Sequence, residues 1–182
     1  MSAGPLPTAS EVVAFWRDAG YAKWFRGGDA FDREVRERLE AAHFAAARRE
    51  LDGWMDDAEG ALALLILLDQ VPRNLFRGSA HAYATDPLAL HHAERMLEAG
   101  FDQDIEPGLR MFCYLPFEHS EDLLDQERAV ALMRDLGDTA LDYAVQHHQV
   151  IERFGRFPHR NHALGRISTA DEQAWLEAGG GF

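Results

Sequence analysis

Apolar positions recur at three- and four-residue spacing along nearly the whole chain, and no run alternates residue by residue as a half-buried strand does. The pattern predicts an all-α protein of eight or nine helices joined by short loops. A first short helix follows Ser10 as its cap and reaches about Asp18, turning Val12, Val13, Phe15 and Trp16 to one side. A long helix from Asp29 to about Leu51 carries Phe31, Val35, Leu39, Ala42 and Ala46 on one face and charges of both signs on the other. Ala58 to Gln70 is apolar all round, which predicts a buried helix, and Pro72 should stop it. Further helices are expected from Asp86-Pro87 to Gly100, from about Ile105 to Leu115 before Pro116, and from Ser120 to Leu136. Two more should run from Asp138 or Thr139 to Phe154, and from a Thr169/Glu172 capping box to the glycine tail. With no proline- or serine-rich linker, residues 10–178 read as one helical domain. Residues 1–9 read as a flexible N-terminus and 179–182 as a glycine-rich tail.

Composition narrows the function classes. At 182 residues with 47% hydrophobic and 27% charged positions, the chain is long enough for a substantial core and ordinary for a globular protein. A formal net charge of −13 argues against nucleic acid or an anionic membrane as partner. The apolar run Ala61–Leu68 is too short to span a bilayer, and MSAGPLPTAS has no secretory pattern. Cys113 is the single cysteine and reads as a core thiol, so a cytoplasmic location is the expectation. Oligomeric state is not legible, and no metal-binding spacing or cofactor fingerprint is present in the sequence.

Positive charge is distributed unevenly. Between Asp69 and Asp86 lie Arg73 and Arg77 with no acid. Between Arg153 and Ala170 lie Arg156, Arg160 and Arg166, again with none. Most other arginines have an acid within four residues, as surface helix pairs do. These must find tertiary carboxylates, solvent or a ligand, and the guanidinium fork suits carboxylate or phosphate. Asn74 and Asn161 follow the arginines in Pro72-Arg73-Asn74 and Pro158-His159-Arg160-Asn161 and can orient a ligand or stabilise a turn. Glu118 and His119, just before a helix start, can do acid–base work or simply belong to a capped loop. His147 faces inward beside Tyr143, Val150 and Ile151 and can be a core histidine or a proton carrier. The candidate set is therefore Glu118, His119 and His147 for proton transfer, with Arg73, Asn74, Arg156, His159, Arg160 and Asn161 for binding. The ligand expected is an anionic small molecule or an acidic peptide. Against this stands the reading that every arginine merely locks helix ends to a protein carboxylate.

The segments ALLILLDQVPRNLFRG (Ala63–Gly78), ATDPL (Ala84–Leu88), FCYLPFEHSEDL (Phe112–Leu123) and FGRFPHRNHALGRIST (Phe154–Thr169) resemble a family of helical proteins described as a domain of unknown function. The resemblance extends from about Ser10 to Leu176. It implies an antiparallel array of helix pairs similar to tetratricopeptide repeats. It also implies recurring polar motifs at Asp69, Gln70, Arg73 and Asn74; at Glu118, His119 and Glu121; and at Arg156, His159, Arg160 and Asn161. It implies no reaction.

Overall fold

A computed structural model describes residues 5–182. Its α-helices are α1 (Ala9–Arg26), α2 (Gly28–Ala47), α3 (Ala58–Leu65), α4 (Val71–Leu75), α5 (Asp86–Glu98), α6 (Met111–Glu118), α7 (Leu123–Met133), α8 (Asp138–Phe154) and α9 (Ala170–Glu177). Short 3-10 turns occupy much of the connecting chain, and no strand occurs among the described residues. The protein is all-α.

The apolar run becomes the centre of the molecule. Ala61 to Leu68 are each at most 1% exposed, and α3 packs against α1, α5 and α6. A leucine this enclosed contributes about 1.5–3 kcal/mol by burial, so α3 anchors the elements that touch it.

Several helix ends differ from expectation, each for a local reason. Pro72 does not stop the helix: α3 continues through a π-helical turn, Ile66–Gln70, into α4. Val71 donates to the Ile66 carbonyl five residues back, and this wider turn accommodates the proline ring. Carbonyls that lose their usual helical donor there are met by side chains. His43 Nδ1 donates to Leu67 O at 2.8 Å, the Thr85 hydroxyl to Leu68 O, and Arg73 to Asp69 O at 2.6 Å. Pro116 likewise lies inside α6, which begins at Met111 and runs on to Glu118. Thr8, not Ser10, caps α1 with a Glu11 capping box. The first helix thus begins at Ala9, inside the segment read as the N-terminal extension, and residues 1–4 lie outside those described. α1 continues past Asp18 to Arg26 through a kink at Gly20, whose φ of 70° suits glycine. α2 ends at Ala47, before the expected Leu51. Asp122, not Ser120, caps α7 by accepting from Leu124 and Asp125, because the Ser120 hydroxyl donates to Asp125 instead. The Thr169/Glu172 capping box on α9 is present as expected.

Candidate functional site

The π-helical turn and α4 place Gln70, Arg73 and Asn74 on a cavity of about 850 Å³, within the range of small-molecule sites, and Asp69 is buried beside them. α6 ends at the same place with Glu118, followed by His119, and α8 contributes His147. Gly155, in the left-handed conformation with φ 68°, ends α8 and turns the chain back. The 3-10 turn Pro158–Arg160 then returns His159 and Arg160 to the same wall. Glu118, His119, His147, Arg73, Asn74, His159 and Arg160 therefore all line one cavity.

Arg156 and Asn161 are placed differently. Neither lines the cavity; Arg156 grips Glu172 with two nitrogens at 2.6 and 2.8 Å, and Asn161 donates to Ser168 and Glu172. Together they fasten the C-terminal turn to α9. Asn74, although on the lining, donates to Asp32, which also holds Arg77. Glu121 accepts from Arg166 and from the Phe157 backbone, fixing the start of the arginine turn. Protein carboxylates thus account for most of the arginines singled out from sequence.

Arg160 is the exception. It is 6% exposed and, among the described residues, its Nε is buried without a hydrogen-bond partner and its only carboxylate contact is 3.4 Å to Asp86. That carboxylate is already held by Arg73 through two nitrogens at 2.8 and 2.9 Å. The two guanidiniums flank the Tyr83 ring, at 5.6 Å for Arg73 and 4.7 Å for Arg160. Burial and the nearby positive charge of Arg73 depress Arg160 to about 10, still protonated at neutral pH. Asp69 and Asp86 together hold Arg73 firmly charged despite its own burial.

Beside this pair stands a proton-handling group. Asp69 is buried, yet Arg73 and His119 keep its carboxyl well below the usual range. It accepts from Gln70 at 2.6 Å, and its Oδ1 lies 2.7 Å from His119 Nδ1. With Asp69 ionised, that proton sits on Nδ1, leaving His119 Nε2 as an unprotonated acceptor. Burial and Arg73 push His119 below its ordinary value, so it is neutral near pH 7. His147 is anchored similarly, Nδ1 donating to Tyr143 O at 2.8 Å, and burial lowers it to about 3. Glu118 is 3% exposed, lacks a partner on Oε2, and has Oε1 3.3 Å from His147 Nδ1. Burial, reinforced by the Asp69 charge, raises it to about 8, so it is mostly protonated at pH 7. His159 adds an unpartnered buried Nδ1 and is lowered to about 4 by burial and by Arg160. The wall therefore combines a neutral base oriented by a carboxylate, a protonated acid and two cations, which suits binding of an anion and proton exchange with it. Asp69, Asp86 and Tyr83 complete the group without having stood among the site candidates. Asp69 and Asp86 bound the acid-free segment, whereas nothing in the local pattern distinguishes Tyr83.

Cys113 is fully buried, and burial pushes its thiol up to about 12, in keeping with a core thiol. No group of three or more metal-ligating side chains occurs among the described residues. No helix among them is long and apolar enough to cross a membrane.

Fold and site together define an all-α protein with one buried, charged wall assembled from three distant polar motifs. A family model described as "Bacterial protein of unknown function (DUF924)" matches residues 12–180, and the chain belongs to that family. It is similar to a solved structure from Agrobacterium tumefaciens, the protein of unknown function ATU0120. The two share 52% sequence identity, with a TM-score of 0.91 over 93% of this chain and 97% of the other. No curated protein matches it.

Proposed function

We propose that the protein binds a small anionic molecule between Arg73 and Arg160. Asn74 and His159 complete the binding wall, and Glu118, His119 and His147 handle protons. The observation that carries this reading is Arg160 Nε, a charged donor buried without a partner beside a carboxylate already taken by Arg73. A buried cation so poorly compensated costs stability, and an anionic ligand supplies the missing partner. Glu118, His147 and Arg160 are buried side chains, which supports a small molecule over an acidic peptide at the polar end of the cavity. His119 Nε2, oriented through Asp69, is the base of any proton transfer, and the protonated Glu118 carboxyl is the acid. A cytoplasmic setting accords with the single buried thiol. The packing of α6 on α7 and of α7 on α8 accords with a tetratricopeptide-like pairing of consecutive helices.

The test is a thermal-shift screen of anionic metabolites on wild type and Arg160→Met. A stabilising anion whose effect disappears in Arg160→Met supports the site. The absence of any stabilising anion across a broad panel refutes it and leaves the arginines as structural locks.

A further inference from the structure

The cavity changes character along its length. On α6 the lining residues run Met111, Leu115, then Glu118; on α8 they run Thr139, Ala140, Tyr143, then Gln146 and His147. α6 passes from apolar to polar over seven residues, about 10 Å of helix, and the α8 lining likewise ends on the polar Gln146 and His147. Their polar ends are drawn together by the 3.3 Å contact between Glu118 and His147. α1 supplies more apolar lining: beyond the Gly20 kink, Tyr21, Trp24 and Phe25 share one helix face on the cavity. Tyr21 and Phe25 are 55% and 47% exposed, and their rings lie 5.0 Å apart. Trp24 is fixed, its indole N–H donating to Trp16 O at 2.6 Å. Such an aromatic set, on the same cavity as an unpartnered cation, is out of place on a wall that binds only an inorganic anion.

Building on the anion-binding reading, we infer that the ligand is an amphipathic acid. Its carboxylate or phosphate meets Arg160 and Arg73, and its apolar body, about 10 Å long, lies along Met111, Leu115, Ala140 and the α1 aromatics. Charge complementarity favours this orientation, because Arg160 at the polar end is a buried, poorly compensated cation that would desolvate against a hydrocarbon, whereas Arg26 beside the α1 aromatics is exposed to solvent.

Titration with acetate, hexanoate and decanoate, followed by Trp fluorescence and calorimetry, tests this. Each methylene that reaches the apolar wall should tighten binding about fourfold, so decanoate should bind at least about tenfold more tightly than acetate. The exposed double substitution Tyr21→Ala/Phe25→Ala should weaken decanoate several-fold and leave acetate unchanged. Arg160→Met, with helicity verified by circular dichroism, should abolish binding of both. Equal affinities along the series, all lost in Arg160→Met, would overturn the amphipathic ligand while leaving the anion site standing. No binding of any of these carboxylates, nor of inorganic phosphate or decyl phosphate, would overturn both. Decanol binding as tightly as decanoate would overturn the acid group's role.

Discussion

Glu118→Gln isolates the cost of the buried acid. The substitution preserves shape and replaces a carboxyl raised from its ordinary 4.5 to about 8 with an amide that does not titrate. A folded-state value above the unfolded one means the native state holds the proton more tightly. The stabilisation is therefore complete below about pH 4.5 and lost as pH rises through 8. Between those limits the slope is about 1.4 kcal/mol per pH unit. From pH 6.5 upward the wild type should therefore lose about 2 kcal/mol relative to Glu118→Gln before levelling above pH 8. Urea unfolding of both proteins at pH 6.5 and pH 9 measures this directly. Histidines and surface groups common to both proteins cancel in the comparison. An unchanged stability difference between the two pH values would refute the protonated, desolvated state assigned to Glu118, and with it the general-acid role.

Four further outcomes follow from the same geometry. Asp69→Asn removes the charge that serves Arg73, His119 and Gln70 at once and should lower stability by roughly 3–5 kcal/mol in denaturant unfolding. His147 and His159 should remain neutral well below pH 6 in a histidine NMR titration. Because their folded values are depressed, the stability they contribute is present above about pH 6.5 and lost as pH falls below it. Phe182→Ala removes the ring stacked 3.6 Å from His147, so the His147 value should rise towards the ordinary one in that titration. Glu172→Ala frees Arg156 and breaks the α9 capping box, and should lower stability by at least about 1 kcal/mol in thermal melts while leaving anion binding intact.

Legibility from the sequence followed the range of the forces involved. Helix type and the burial of Ala61–Leu68 were readable because both depend on periodicity within a few residues. Helix ends were less so: Thr8 and Ser10, or Ser120 and Asp122, are equally competent caps, and tertiary packing chooses between them. Pro72 misled because the π-helical turn that accommodates it depends on His43 and Thr85, distant in sequence, to satisfy carbonyls. The arginine clusters flagged the right region but not the division of labour. Glu172 lies only two residues beyond the acid-free stretch and takes Arg156, whereas Arg160 is turned inward by the 3-10 turn at Pro158. The separation of Asn161 from the cavity has the same origin, since Arg166, Ser168 and Glu172 all reach it from the C-terminal side. Tyr83 owes its place to the packing of its 3-10 turn on α4, which no local pattern encodes.

The most direct measurement of the central claim is the ¹⁵Nε–H resonance of Arg160 during titration with hexanoate. That N–H has no partner among the described residues, whereas the Arg156 Nε–H is held by Glu172 at 2.6 Å and serves as an internal control. A saturable shift at Arg160, with Arg156 unmoved, is the predicted result. An Arg160 signal that does not move, or moves in parallel with Arg156, would contradict an anion site at this guanidinium.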